Sequence, residues 1–118
     1  MKKILCIDDD PVVLRYLESI LADNGYEVFT AQNAQSALAL VNVSKPDLIT
    51  LDLQMPEKWG PRFYREMTRD RANKEIPVIV ISGLSSSQYS IAKAVGYLSK
   101  PFDPEALLKM VNEQIGPA

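Results

Sequence analysis

The sequence predicts an α/β protein, a doubly wound five-stranded parallel sheet built in a (βα)5 order. Three observations predict it. Short apolar runs alternate with stretches of helical periodicity along the whole chain. The connections are helix-length crossovers, which parallel strands require. Cap-then-proline helix starts recur at Asp10-Pro11 and Asp103-Pro104.

Lys3 to Asp8 is a continuous apolar run ending in acids, as expected of a strand buried on both faces. Asp10 caps a helix whose inward stripe is Val13, Leu17, Ile20 and Leu21, and Asn24-Gly25 stops it. Glu27 to Ala31 is the second strand. Asn33 caps a second helix with Ala37, Leu38, Leu40 and Val41 inward, broken by Lys45-Pro46. Asp47 to Leu53 is the third strand. Met55-Pro56 opens a loop to Gly60-Pro61, where a helix with Phe63, Tyr64 and Met67 at helical spacing begins. Val78 to Ile81 is the fourth strand. A serine loop, Ser85 to Ser87, then precedes a fourth helix over roughly Gln88 to Val95. Tyr97 to Ser99 is the last strand, and Leu107, Leu108, Val111 and Ile115 stripe the final helix.

The 118 residues fit one domain spanning 1–118, with neither repeat nor linker. Acids and bases are spread along the chain and the net charge is −2, so neither a nucleic-acid nor a membrane surface is expected. The sequence carries no apolar leader and no run of membrane-spanning length, so a cytoplasmic location is expected. The single Cys6 lies within an apolar run and reads as a buried core residue in a reducing compartment. There are no histidines, which removes His-based triads, H-E-x-x-H zinc sites and any phosphohistidine carrier role.

In open parallel sheets the ligand site lies beyond the carboxyl ends of the strands. Four of the five ends carry chemistry here: Asp8 and Asp9, Asp52, Ser82, and Lys100. Neighbouring strands lie about 5 Å apart, so these groups converge. Three carboxylates brought together repel one another and lose hydration, which a hard divalent cation such as Mg²⁺ resolves. Asp52 can attack a phosphoryl group, with metal and lysine neutralising the oxygens of the transition state and Ser82 donating a hydrogen bond. Singly, each residue has a bland explanation as a cap, loop or turn residue. It is their joint fall at successive strand ends that points to a site.

With these residues in hand, the sequence resembles the response-regulator receiver family, the CheY-like domains of two-component signalling. Ile4 to Pro11 resembles the acidic-pair motif, and Leu51 to Pro56 with Gly60 the phosphoacceptor motif, spacing D-x-x-M-P-x-x-x-G. Val80-Ile81-Ser82-Gly83 resembles the hydroxyl motif and Tyr97 to Phe102 the lysine motif. The resemblance implies a flavodoxin-like strand order 2-1-3-4-5. It implies Asp52 as phosphoacceptor and Mg²⁺ held by Asp9, Asp52 and the Gln54 backbone carbonyl, with Asp8 acting through water. Ser82 and Lys100 would bind the phosphoryl group, and Tyr97 would be an aromatic switch that turns inward when Ser82 moves. The implied partners are a sensor histidine kinase or phosphotransfer protein and a downstream protein target. A phosphorylation-linked dimer is also allowed. Such a domain assists its own phosphorylation without being an enzyme in the usual sense. Phe102 with Val12, Arg15 and Tyr16 on the first helix is the expected kinase-docking surface.

The sequence departs from the family at one place. Gly96 abuts Tyr97, and the stretch from Ser82 to Lys100 is shorter than usual by several residues. The fourth helix or its exit must be truncated or re-routed. Gln54 and Leu84, two positions past Asp52 and Ser82, flank the acyl phosphate in the family and influence its lifetime. Trp59 reads as a partly exposed packing residue near the metal, whose fluorescence should respond to Mg²⁺.

Two other readings fit parts of the chain. Asp8-Asp9-Asp10 after an apolar strand also suits a haloacid-dehalogenase-type phosphatase, with Asp8 as nucleophile and Asp10 as general acid. That reading leaves Asp52 and its loop unexplained and lacks a convincing downstream acidic pair. A pseudo-receiver that binds partners without phosphorylation is the other, although such domains typically lose residues that are all present here. A stand-alone regulator and a receiver cut from a longer protein, with Gly116-Pro117 opening a linker, are both compatible with the sequence.

Overall fold

Period-2 alternation within short, largely apolar strands produces a sheet with two buried faces, and that sheet organises the molecule. The computed structural model describes residues 1–53, 59–83 and 94–117. Its strands are β1 (Lys3–Ile7), β2 (Glu27–Ala31), β3 (Leu48–Leu51), β4 (Val78–Ser82) and β5 (Gly96–Ser99). All pairings are parallel, in the order β2-β1-β3-β4-β5. The described helices are α1 (Pro11–Asp23), α2 (Ala34–Ser44), α3 (Trp59–Thr68) and α4 (Pro104–Ile115), with a 3-10 turn at Arg71–Asn73.

Alternate strand residues feed two cores. Leu5, Ile7, Ile49, Leu51, Val78 and Val80 pack with Ala37, Val41, Phe63 and Met67 from α2 and α3. Ile4, Cys6, Leu48, Ile79 and Ile81 pack on the other side with Leu14, Leu17, Leu21, Leu107 and Val111 from α1 and α4. Leu14 extends the expected stripe of α1; Val13 and Ile20 sit half-buried at its margins.

The helix boundaries follow local chemistry. The Asp10 side chain accepts from the Val12 amide and Pro11 takes the first turn, while Gly25 turns the chain away at φ 91°. Asn33 caps α2 through the Ser36 amide, and Lys45 ends it in the left-handed region at φ 49°. Asp103 caps α4 through the Glu105 amide. The end of α4 is clasped by two long-range bonds, Tyr26 Oη to the Gly116 carbonyl at 2.9 Å and Lys2 Nζ to the Ile115 carbonyl.

Some expected boundaries are corrected. β3 is shorter than Asp47–Leu53: the Asp47 carboxylate is occupied by the Lys3 amide at 2.8 Å, and pairing ends at Leu51. α3 starts at Trp59, before Gly60-Pro61. The helix expected over Gln88–Val95 falls largely outside the described residues. Its expected end is corrected, because Ala94 and Val95 are not helical: the Val95 amide already bonds the Val78 carbonyl at 2.9 Å and leads into β5 at Gly96.

Candidate phosphoryl and metal site

Strand order places β1 and β3 side by side at the point where the chain direction across the sheet reverses, and their ends carry the acids. The Asp8 amide still bonds the Ala31 carbonyl at 3.1 Å, and the Asp52 amide the Ile7 carbonyl at 3.0 Å. Each acid is therefore the first residue past its strand while its backbone remains tied to the sheet. Asp8 and Asp52 are buried, at 1% and 2% exposure, and Asp9 faces solvent. One oxygen from each of the three carboxylates lies within 4.8 Å of the others. The three offer a hard, oxygen-only donor set with Asp9 on its solvent side.

Lys100 enters from β5. Its Nζ lies 2.8 Å from Asp8 Oδ2 and 3.6 Å from Asp52 Oδ2. Burial pulls this ammonium down, but the hydrogen bond to Asp8 and the charges of Asp52 and Asp8 outweigh it and hold it above the ordinary lysine range. Its backbone is equally fixed: the Lys100 amide donates to the Ser82 carbonyl at 3.0 Å, continuing the β4–β5 ladder in which Ser82 faces Ser99. The Lys100–Pro101 peptide is cis. Ser82 ends β4 with its side chain buried at 3% exposure. The strand ends thus bring together Asp8, Asp9, Asp52, Ser82 and Lys100. Gln54 and Leu84 lie outside the described residues, as does the side chain of Trp59.

Two features escape a reading of the sequence. The Asp10 amide donates to Asp8 Oδ1 at 2.9 Å, so the helix-capping residue also orients the Asp8 carboxylate, whose other oxygen holds Lys100. The Thr50 hydroxyl, opposite Cys6 in the β1–β3 register, is buried without a conventional hydrogen-bond partner among the described residues. No periodicity or motif signals either one. Tyr97 is half-buried on the α3 side of the sheet, packed against the same core as Tyr64. Burial, and then the nearness of Tyr97, raise the Tyr64 phenol above its usual range.

A family model for the response regulator receiver domain matches residues 4–112. The chain belongs to the response-regulator receiver family. Protein PilH of Pseudomonas aeruginosa is 34% identical over 116 residues, covering 95% of this chain and 96% of that protein. Protein Rrf1 of Nitratidesulfovibrio vulgaris is 34% identical over 113 residues, covering 96% of this chain and 82% of its own. Among solved structures, the chemotaxis response regulator CheY4 of Vibrio cholerae aligns with a TM-score of 0.87 at 31% identity, covering 98% of this chain and 99% of that one. The receiver is a signalling domain of two-component systems, with a strand order that agrees with the flavodoxin-like expectation. No helix among the described residues is long and apolar enough to cross a membrane.

Proposed function

We propose that this receiver, read as one domain over 1–118, is a cytoplasmic switch that accepts a phosphoryl group on Asp52 from a phosphohistidine donor. The observation that carries the reading is the convergence on buried Asp52 of two further carboxylates within 4.8 Å and the Lys100 ammonium at 3.6 Å. Three carboxylates against one ammonium leave a negative excess that suits a divalent cation, and the all-oxygen donors suit Mg²⁺. Asp9 and Asp52 would hold it directly and Asp8 through water, with the Gln54 carbonyl completing the set. When bound, the metal supplies charge neutralisation at the phosphoryl oxygens.

The chain's own residues do the rest. An Asp52 oxygen forms the new P–O bond as the bond from phosphorus to the donor's imidazole nitrogen breaks. Lys100, already charged and within reach, turns toward the incoming oxygens, and the Ser82 hydroxyl donates to one of them. Tyr97, beside Tyr64, would follow Ser82 and change the surface around β5 that a downstream target reads. The donor, a histidine kinase or phosphotransfer protein, would dock beside the site. Support comes from the rings of Tyr16 and Phe102, which meet at 5.7 Å next to Lys100 with Val12 and Tyr16 exposed. The phosphatase alternative is disfavoured because both Asp8 oxygens are engaged, one by Lys100 and one by the Asp10 amide.

Incubation with Mg²⁺ and acetyl phosphate, followed by intact-mass measurement, tests the reading. One added phosphate is expected, lost in Asp52→Ala and on chelation. Labelling that survives Asp52→Ala and disappears in Asp8→Ala would return the phosphatase reading.

A further inference from the structure

Gly60 stands at the start of α3, buried, in a place where a side chain has no room. A β-carbon there would lie 2.8 Å from the Asp52 carbonyl oxygen, 2.8 Å from Leu53 Cα and 3.0 Å from Leu53 Cδ2. Non-bonded carbon does not approach other atoms so closely, and the two tightest neighbours are main chain, which cannot rotate away. The missing β-carbon therefore lets the first turn of α3 lie directly on the peptide joining Asp52 to Leu53.

That contact has no slack on the helix side. Phe63 and Met67, one and two turns further on, are 0% and 1% exposed in the core beneath α3. Moving α3 outward would open a void under both, at a cost of a few kcal/mol by analogy with core truncations. With the helix held from below, a side chain at position 60 presses on the Asp52–Leu53 peptide, whose crowded atoms are main chain.

We propose that Gly60 is a positioning residue for phosphoryl transfer, acting through the Asp52 main chain and never touching the donor. This role rests on the function proposed above and gives the close approach of α3 to the Asp52–Leu53 peptide a consequence for the transfer. The α3 backbone is the wall against which the Asp52 carboxylate is aimed at Lys100 and the metal-binding oxygens. Displacing the reacting carboxylate by a fraction of an ångström costs about tenfold or more in rate.

The test compares Gly60→Ala with Gly96→Ala. A β-carbon at Gly96 would meet the flexible Met110 thioether at 2.9 Å, so this control carries similar crowding at the far end of β5. Initial rates of Mg²⁺-dependent labelling by acetyl phosphate, thermal midpoints and amide chemical shifts are measured for both. Gly60→Ala should label at least tenfold more slowly, with shifts moved at Asp52 and Leu53. Gly96→Ala should label within twofold of wild type, with a smaller loss of melting temperature because the Met110 thioether can give way. Labelling of Gly60→Ala within twofold of wild type, or equal slowing in both variants, overturns the role. If Gly60→Ala does not fold, the double variant Gly60→Ala/Leu53→Ala decides: it relieves the crowding at Cδ2 and leaves the added β-carbon against the Asp52 carbonyl oxygen and Leu53 Cα, so labelling should still be at least tenfold slower than in Leu53→Ala. Labelling within twofold of Leu53→Ala would overturn the proposal. A wild-type protein that takes up no phosphate refutes the proposed function instead, and the amide shifts alone then decide the positioning role.

Discussion

Replacing Asp52 by asparagine should stabilise the metal-free protein, because in the absence of a cation the buried Asp52 carboxylate sits among more repulsion than attraction. With an effective dielectric near 20, the Lys100 ammonium at 3.6 Å attracts the Asp52 carboxylate by about 5 kcal/mol. Asp8 and Asp9, with oxygens within 4.8 Å, each repel it by about 3 kcal/mol or slightly more. Among these four groups the balance is unfavourable by about 2 kcal/mol, and desolvation of a carboxylate only 2% exposed acts in the same direction. The asparagine amide keeps the shape of the carboxylate and removes its charge. Urea unfolding in EDTA reads the difference: with a slope of about 2 kcal/mol per molar, the midpoint of Asp52→Asn should rise by about 1 M. Mg²⁺ should then reverse the ranking, since a ligand present at about 100 times its Kd stabilises by about 2.7 kcal/mol. The wild type should gain this and the variant little of it. A lower midpoint for Asp52→Asn in EDTA, or an equal Mg²⁺ gain in both proteins, would refute the reasoning.

Two further predictions concern stability away from the acids. Burial, partly offset by Thr50, pushes the Cys6 thiol from 9.0 up to about 12. A folded value above the unfolded one contributes stability intact below about pH 9 and lost as pH rises through about 12, at up to about 1.4 kcal/mol per pH unit. Wild type should therefore lose stability faster than Cys6→Ala between pH 9 and 11 in urea titrations, and the native thiol should resist alkylating reagents at pH 8. Lys45 ends α2 at φ 49°, a conformation costing a side-chain-bearing residue about 1–2 kcal/mol. Lys45→Gly should raise stability by about 0.5–1 kcal/mol after the entropy of the unfolded glycine is subtracted, and a lower urea midpoint would count against that account.

What the sequence made legible follows from where its signals are local. Strand identity, helix caps and the order of elements rest on short-range chemistry, such as Asp10 before Pro11, Asn33 before Ala34 and Asp103 before Pro104, and each behaves as read. The convergence of Asp8, Asp9, Asp52 and Lys100 was legible because parallel strands must deliver their ends to one edge. Strand lengths were less so: Asp47 and Leu53 look strand-like, yet Asp47 spends its carboxylate on the Lys3 amide and the chain beyond Leu51 leaves the ladder. Contacts made across the fold left no trace. Neither the clasp of Lys2 and Tyr26 on the end of α4 nor the buried Thr50 hydroxyl has a pattern within any window of sequence.

The connection between Ser82 and Lys100, expected from the sequence to be short, does not govern where the lysine stands. Lys100 is held by three things downstream or lateral to that connection: the bond of its amide to Ser82, the Ser82–Ser99 register, and its own ammonium on Asp8. Val95 has already joined the ladder through Val78, so residues removed upstream of it cannot shift the lysine without breaking β4–β5 pairing. Tyr97 stands on the same fixed strand, opposite Val80. Length can therefore vary between Ser82 and Val95 without moving either strand end. A change of length there is expected to leave Asp8, Asp9, Asp52 and Lys100 in place.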